Sequence, residues 1–415
     1  MKARVVVRSL VALAFAASAL SGAQAGTEVR VLLGIDPADS SGDILLSASV
    51  GPSQSLTRVT GMRTTITQTS SMAELMRASR TVENEIIIAP AHVTASAILH
   101  AYQLLATSGQ EQTYALVVRN DIDKVEKLAG KRLYLPQQDS LRSYMAKGLL
   151  TESGVKLGQF SKITYGNTSG GGLVALSFDM ADVTVADEAQ AKEWITQHPG
   201  QARILKTTRP VPGGMNLVVR KDFCATECAR LSDWVNSPDG AIPGIGRFRM
   251  ATADATRQFT YVASLGIATP EAINGVTRVG AEQVADLGKQ GATIVDTRSQ
   301  KEYDNEHIRG AVLASYLEKS LKEVDFDAKK DDFSALKTIP KDKPVVFLCN
   351  GPECWKSYKA SRAALAEGYT KVHWFRGGMP EWREKRLPVE GSAGAALAKL
   401  PAPTQSRSKT VAAVR

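Results

Sequence analysis

Residues 345–360 read VVFLCNGPECWKSYKA. Four apolar residues follow Pro344, which predicts a buried strand, and from Ser357 onward small and apolar residues recur at the spacing of one helix face. Cys349 therefore lies where a strand ends and a loop leads into a helix. The stretch predicts an α/β unit organised around this cysteine.

The surroundings of Cys349 favour a reactive thiolate. Backbone N–H groups in such a loop, and the partial positive end of the helix that follows, stabilise negative charge. Gly351, Lys356 and Ser357 add flexibility, positive charge and a helix-starting hydroxyl. The stretch leaves two alternatives open, namely a buried structural cysteine and a plain disulfide with Cys354.

The N-terminus predicts an export signal. Three basic residues precede the apolar run Leu10–Leu20, and Ala23-Gln24-Ala25 is a small-x-small cleavage signature. We expect a signal peptide over residues 1–25, cleavage after Ala25 and, in a bacterium, a periplasmic protein. The apolar run is too short to span a bilayer, and no later run reaches the length that a membrane span needs.

The length and the net charge of the chain limit the number of domains and the kind of binding partner. A chain of 415 residues has room for two or three domains, and its net charge of +9 comes without the basic and aromatic interleaving of nucleic-acid binders. A positive surface fits a small anionic substrate.

The cysteines form two close pairs, an even count typical of an oxidising compartment. Whether Cys224 and Cys228 are bridged stays open, because positions i and i+4 of one straight helix are poorly placed for a disulfide.

The first two hundred residues alternate strand and helix patterns, which predicts an α/β fold with helices on the sheet faces. The predicted strands are Val29–Leu33, Glu85–Ile88, Tyr114–Val118, Arg132–Leu135, Asp182–Val185 and Asn216–Val219. The predicted helices are Met72–Arg77, Ser96–Leu105, Leu141–Leu150 and Ala186–Thr196.

The succession Tyr114–Asp121, Val125–Tyr134, Asp139-Ser140 and Thr207–Gly214 resembles the second lobe of the type 2 periplasmic solute-binding proteins. Within that class it is most similar to the phosphonate/phosphite-binding components of ABC transporters. The resemblance implies two lobes that close on an oxyanion and hold it with backbone N–H groups and hydroxyls at helix starts.

Candidate ligand-binding residues follow from that resemblance. They are Ser70, Ser71, Ser140, Ser143, Thr168, Ser169 and Asp187. Each hydroxyl taken alone is also an ordinary helix N-cap. The acidic segment Gly34–Asp39 would repel an anion, so the ligand class stays open, as does a domain that has lost its transport function.

Four blocks near the C-terminus resemble the rhodanese domain over residues 278–390. They are Gly291–Arg298, which closes on Asp-x-Arg, Glu302–Ala311, the Cys349 loop, and Gly368–Trp382. The resemblance implies an α/β domain with a central parallel sheet. It also implies a cysteine that takes the outer sulfur of a donor such as thiosulfate as a persulfide and passes it to a thiol or cyanide.

The resemblance carries that nucleophile onto Cys349, with Cys354 as an alternative nucleophile or a resolving partner. The rest of the implied active-site loop is Asn350, Gly351, Trp355, Lys356 and Ser357. Asp296 and Arg298 are expected to form a buried ion pair in support of the loop. A phosphatase on the same fold would need Arg at the sixth position after the nucleophile, where Trp355 stands.

The sequence thus predicts a two-lobed binding-protein-like domain over 26–240, a connector over 241–277, a rhodanese-like domain over 278–390 and a disordered tail over 391–415. We expect an exported sulfurtransferase with an anion-binding module and no metal or cofactor. Its expected partners are a small anionic or sulfur-containing substrate and a thiol acceptor, and a transporter or periplasmic redox partner stays unassigned. Two alternatives are a catalytically silent solute-binding or sensing protein and a thiol-disulfide redox module that uses Cys349 and Cys354.

Overall fold

The structure is a computed structural model that describes residues 28–36, 44–166, 168, 170–252 and 254–392. The predicted signal peptide, and the predicted tail from residue 393 onward, lie outside these ranges.

The strands of the N-terminal part are β1 (Glu28–Gly34), β2 (Arg63–Thr69), β3 (Ile86–Ala89), β4 (Tyr102–Thr107), β5 (Glu111–Gln112), β6 (Tyr114–Arg119), β7 (Arg132–Leu135), β8 (Lys162–Tyr165), β9 (Val183–Asp187), β10 (Ala202–Thr207), β11 (Val211–Pro212), β12 (Asn216–Arg220), β13 (Ala241–Ile242), β14 (Gly246–Arg247) and β15 (Arg249–Met250). The helices are α1 (Ile44–Thr60), α2 (Met72–Ala78), α3 (Ala91–Ile98), α4 (Leu141–Thr151), α5 (Gly171–Ser177), α6 (Glu188–Gln197), α7 (Lys221–Asn236) and α8 (Ala255–Ser264).

These elements form two lobes. The first has a six-stranded sheet in the order β15-β4-β12-β3-β1-β2, and the second has a five-stranded sheet in the order β10-β6-β9-β7-β8. The chain crosses between the lobes twice, and the short antiparallel pair of β5 and β11 lies at these crossings. The α/β plan predicted from the alternating patterns is confirmed.

The two lobes are packed against each other. One buried apolar cluster contains Met72 and Val93 of the first lobe, Leu141 and Met145 of the second, and Phe259 of α8. Because this apolar surface is shared, parting the lobes would expose it to water and would be opposed by the hydrophobic effect.

Two local interpretations need revision. The predicted helix over Ser96–Leu105 is wrong beyond Ile98, since Tyr102–Thr107 is a strand that pairs with β12 and β15. Its partners are more than a hundred residues away, so local periodicity could not indicate the pairing. Part of the segment interpreted as a connector also belongs to the N-terminal body. Its strand β15 pairs at the edge of the six-stranded sheet, and Phe259 of α8 is part of the apolar cluster that the two lobes share.

The C-terminal part forms a second α/β body. Its strands are β16 (Thr277–Arg278), β17 (Thr293–Asp296), β18 (His307–Ile308), β19 (Val312–Leu313), β20 (Val345–Leu348), β21 (Val372–Phe375) and β22 (Val389–Glu390), and its helices are α9 (Ala281–Lys289), α10 (Gln300–Asn305), α11 (Trp355–Ala366) and α12 (Gly378–Glu384). Five strands make an all-parallel sheet in the order β16-β21-β20-β17-β19. All four residues of β20 are buried, as the apolar run predicted. No helix in the described ranges is long and apolar enough to cross a membrane.

Candidate active site

Cys349 follows the central strand β20 directly, and Cys354 is the residue before α11. The structure joins the two sulfurs in a disulfide, with the Cα atoms 6.1 Å apart. Cys349 is only 2% exposed and Cys354 only 9%. Of the alternatives that the sequence left open, the disulfide with Cys354 is the one present in this form of the protein, and a reactive thiolate at Cys349 stays a prediction for the reduced form.

Two glycines allow the loop to fold this tightly. Gly351 has a φ of +85°, a left-handed conformation that favours glycine, and its carbonyl accepts a hydrogen bond from Cys354 N at 3.1 Å. At Gly378 a side chain would place its Cβ 2.1 Å from Cys349 O. The next amide, Met379 N, donates to Cys349 O at 3.0 Å. The start of α12 therefore forms a close wall of the loop.

The predicted ion pair under the loop is present. Arg298 Nη2 lies 2.6 Å from Asp296 Oδ2, and both side chains are almost completely buried. Arg298 Nη2 also donates to Glu306 O at 2.6 Å, which satisfies a second buried group. The pair thus fixes the segment between β17 and β18 beside the strand that carries Cys349.

The other predicted loop residues are held by neighbours within the C-terminal body. Asn350 Nδ2 donates to Glu302 Oε1 at 2.5 Å, and Ser357 Oγ accepts from Trp374 Nε1 at 3.0 Å. Trp355 is buried with its ring against Tyr358. Asn350, Trp355 and Ser357 are therefore anchored side chains in this closed form.

Lys356 is only partly exposed. Its Nζ lies 5.2 Å from the ring centroid of Tyr316, whose hydroxyl donates to Lys356 O. Burial lowers the pKa of Lys356, and the nearby carboxylates of Glu318 and Glu302 oppose that shift without reversing it. The Lys356 ammonium therefore loses its proton more easily than the ammonium of a lysine in water.

The N-terminal lobes cover the outside of the loop. Glu353, in the middle of the loop, lies with its two carboxylate oxygens 2.9 and 3.0 Å from His100 Nε2, just beyond α3. Ser96 Oγ donates to the same carboxylate at 3.3 Å. Burial favours the neutral carboxyl, but the His100 interaction and the Arg80 charge hold the pKa of Glu353 below its ordinary value. An ionised carboxylate therefore ties the loop to the first lobe.

A second buried contact joins the same bodies. Lys322 Nζ of the C-terminal part lies 2.5 and 2.7 Å from the carboxylate oxygens of Asp139, and Tyr144 OH donates to Asp139 Oδ1 at 3.0 Å. The Tyr144 ring lies 5.5 Å from the ring of His92 on α3. We call Asp139, Lys322, Tyr144 and His92 the junction cluster, because first lobe, second lobe and C-terminal body meet there.

Comparison with known families decides what the two bodies are. A family model for the rhodanese-like domain matches residues 280–385, and a model for the ABC transporter phosphonate periplasmic substrate-binding protein matches residues 52–235. The chain joins a phosphonate-binding-type domain to a rhodanese-like domain. No curated protein matches the chain.

Solved structures that are similar to part of this chain include PhnD1 from Prochlorococcus marinus (MIT 9301) in complex with methylphosphonate, which is 13% identical, with a match that covers 58% of this chain and 97% of that chain and a TM-score of 0.44. XAC2383 from Xanthomonas citri bound to ATP is 13% identical over 58% of this chain and 97% of its own, with a TM-score of 0.46. The aliphatic sulphonate binding protein SsuA from Escherichia coli is 12% identical over 57% and 91%, with a TM-score of 0.39.

In the phosphonate-binding-type domain, the predicted ligand hydroxyls bond within the chain. Ser71 Oγ accepts from Glu74 N as an N-cap of α2, and Ser140 Oγ does the same for Ser143 N at the start of α4. The Gln137 side chain bridges the lobes, because its Nε2 donates to Ser70 O at 3.2 Å. The backbone carbonyl of Gln137 accepts from Ser143 Oγ at 2.7 Å. Gln137 therefore brings the Ser70 and Ser143 segments together.

The remaining predicted ligand residues lie apart from that contact. Asp187 caps α6 by accepting from the amides of Ala189 and Gln190. Thr168 is exposed near the start of α5, and Ser169 lies outside the described residues. Binding of a ligand by this set stays a prediction.

The Cys224 and Cys228 pair, left open by the sequence, is a disulfide within α7. The pair begins one turn into the helix, where the two Cα atoms lie 4.5 Å apart. That separation is within the range that a disulfide spans. Local spacing alone could not indicate so close an approach.

His92 makes the junction cluster sensitive to acid. It is fully buried, and burial lowers its pKa from 6.5 to about 4. Asp139 opposes that shift without reversing it. As the pH falls below 6.5, the unfolded chain takes up a proton that the folded chain does not, so stability is lost until about pH 4.

The free energy of unfolding is expected to fall as the pH is lowered from neutral to just above 4. We expect this fall to be smaller in His92→Leu than in the parent, by about 2 kcal/mol. Urea unfolding midpoints at both pH values measure it. His198→Leu is the control, because His198 is partly exposed and stacks on Trp194. Equal acid sensitivity in all three proteins would contradict the assignment.

Sequence reasoning missed the residues that join the domains. Glu353 was visible in the loop, but nothing near His100, Asp139 or Lys322 indicated their partners. The hydrogen-bonded pairs are 253 and 183 residues apart in sequence. Such contacts are decided by domain docking and leave no local pattern.

Proposed function

We propose that the protein is a periplasmic sulfurtransferase of the rhodanese type that becomes competent when its Cys349 and Cys354 disulfide is reduced. The observation that carries the proposal is the position of Cys349, directly after the central strand of a rhodanese-like domain, with Cys354 bonded to it from the start of α11. The positive end of α11 favours a thiolate in the reduced loop.

The proposed chemistry has three steps. A dithiol reductant first opens the disulfide and is itself oxidised. The Cys349 thiolate then attacks the outer sulfur of thiosulfate, the sulfur–sulfur bond of the donor breaks, and sulfite leaves with the electron pair. The persulfide either gives its outer sulfur to an acceptor thiolate, or is attacked at Cys349 Sγ by the Cys354 thiolate, which expels hydrosulfide and restores the disulfide.

A thiol-disulfide redox module is the second candidate, and the disulfide itself favours it. In that case the same pair would exchange with partner thiols and take up no sulfur. Sulfur chemistry separates the two functions. The reduced protein mixed with thiosulfate releases sulfite and then hydrosulfide if it is a sulfurtransferase, and releases neither if it is a redox module.

The test uses the full chain, reduced and freed of reductant, with intact-mass analysis and sulfite detection. We expect one sulfite per chain and either one added sulfur atom or a re-formed disulfide with hydrosulfide. The unreduced chain should give no sulfite, because both sulfurs are buried and bonded. A reduced chain that stays unchanged would overturn the proposal.

We further propose that the phosphonate-binding-type domain controls access to the loop through Glu353 and His100. Glu353→Gln weakens a buried charge-assisted contact, so the disulfide should be reduced faster, by about threefold or more. Alkylation of the freed thiols at timed intervals after addition of a dithiol measures the rate. Glu367→Gln is the matched control, since Glu367 is exposed and contacts no part of the loop. Equal rates for both variants and the parent would contradict the clamp.

A further inference from the structure

A cleft lies between the first lobe and the rhodanese-like domain, beside the cysteine loop. Its volume is about 600 Å³, which is within the range of about 300 to 1,000 Å³ of small-molecule sites. The first lobe contributes Arg80, His100 and Lys221, and the rhodanese-like domain contributes Pro352 of the loop and Gly377 of the wall behind it. The cleft is distinct from the contact that Gln137 makes between the lobes.

Arg80 is the unusual residue of the cleft. It is only 9% exposed, its Nε has no hydrogen-bond partner, and it makes no ion pair within the described part of the chain. A buried guanidinium without a carboxylate loses the stabilisation that normally offsets its desolvation. The charge of Arg80 helps to lower the pKa of Glu353, but Glu353 is hydrogen-bonded to His100 rather than to Arg80.

The other charges of the cleft are arranged so that positive charge stays available. Among the described residues Lys221 Nζ donates only to His100 O, at 2.6 Å, and its side chain is exposed. On the opposite wall, Arg383 is held by Glu306, and Glu381 accepts from Ala281 N. Glu384 is exposed and faces solvent at the rim. Arg80 and Lys221 are thus the cations of the cleft that have no carboxylate partner in the described part of the chain.

We infer that this cleft binds the sulfonate end of the sulfur donor, with Arg80 of the first lobe as its main ligand and Lys221 as a second. The guanidinium offers several N–H donors in one plane, a geometry suited to an oxyanion. The inference rests on the proposed function, because Cys349 attacks a sulfur that such an oxyanion carries. It makes Arg80 a substrate-binding residue supplied by the other domain.

Binding is tested with sulfate, which has the shape and charge of thiosulfate and carries no transferable sulfur. Calorimetry of the full chain should show one site, and Arg80→Gln should weaken it by about tenfold or more. Arg58→Gln is the matched control, because Arg58 is an exposed arginine of α1 that lies outside the cleft, and it should bind within twofold of the parent. Arg80→Lys should recover part of the affinity.

Kinetics with thiosulfate gives an independent readout. Arg80→Gln should raise KM for thiosulfate by about tenfold and change kcat little, since the sulfonate is bound similarly before and during transfer. Should Arg80→Gln not fold, Lys221→Gln, at an exposed position, should still weaken sulfate binding by about threefold. Equal sulfate binding in the parent, Arg80→Gln and Lys221→Gln would overturn the inference. Sulfate binding needs no reactive cysteine. The binding test can therefore succeed or fail independently of the sulfur-transfer test, so failure of this inference is distinguishable from failure of the proposed function.

Discussion

Cys349→Ser is expected to abolish sulfite release from thiosulfate, a loss of about 1,000-fold or more, because it removes the sulfur that the proposed function assigns as the nucleophile. Cys354→Ser should behave differently. It should release one sulfite per chain and retain one added sulfur atom, because the thiolate that would expel hydrosulfide is missing. Sulfite detection and intact-mass analysis of both variants after thiosulfate treatment measure these outcomes.

The double variant Cys224→Ser with Cys228→Ser is the control for loss of a disulfide elsewhere. That pair lies within α7 of the phosphonate-binding-type domain, so the reduced double variant should release sulfite like the parent. If Cys349→Ser released sulfite normally and Cys354→Ser did not, the nucleophile would be Cys354 and the roles of the two cysteines would be exchanged.

Asp139→Asn is expected to destabilise the docking of the two domains by about 3 kcal/mol, because it leaves Lys322 without its carboxylate in a mostly buried position. Burial favours the neutral form of Asp139, yet the charge and hydrogen bonds of Lys322 hold the pKa of Asp139 below its ordinary value. The carboxylate is therefore ionised at neutral pH. Thermal unfolding at neutral pH, with Lys322→Met and the double variant, gives the coupling between the two residues.

An exposed ion pair across the same interface serves as the control. Lys156 Nζ lies 2.7 Å from Asp325 Oδ2, and the two side chains are 66% and 54% exposed. Asp325→Asn should therefore cost less than about 1 kcal/mol. If Asp139→Asn were as mild as Asp325→Asn, the junction cluster would not hold the domains together.

Much of the rhodanese-like domain could be predicted because its signals are local. An apolar run after Pro344 indicated β20, and the small residues after Ser357 indicated α11. Asp296 and Arg298 lie two residues apart at the end of a strand, so their side chains point to the same side and can pair. Local patterns of this kind can be recognised in the sequence without knowing which elements pack against them.

The state of the cysteine loop could not be predicted in the same way. The sequence was consistent with an open thiolate and with a bond between Cys349 and Cys354. In the closed form the loop lies against Gly378 and Glu353 contacts His100. These neighbours belong to the start of α12 and to another domain, so the loop sequence favoured a reactive thiolate and could not exclude the disulfide.

The same reasoning applies to the phosphonate-binding-type domain. Its helix starts at Ser71 and Ser140 were predicted from hydroxyls that cap helices, and both hydroxyls do so. The sequence could not show that Gln137 joins the two lobes or that Lys322 contacts Asp139. Each of these contacts joins parts of the chain that approach only after folding.

The sequence by itself determined the two α/β bodies, the strand, loop and helix that carry Cys349, and the buried pair beneath them. Those features depend on residues within a few positions of one another, where periodicity, capping and turn chemistry decide the structure. Only the tertiary structure decided that Glu353 is held by His100, that Lys322 meets Asp139 and that Arg80 faces the cleft beside the loop. Such contacts arise because docking buries charged groups from distant segments, and each buried charge then requires a partner that the local sequence does not name.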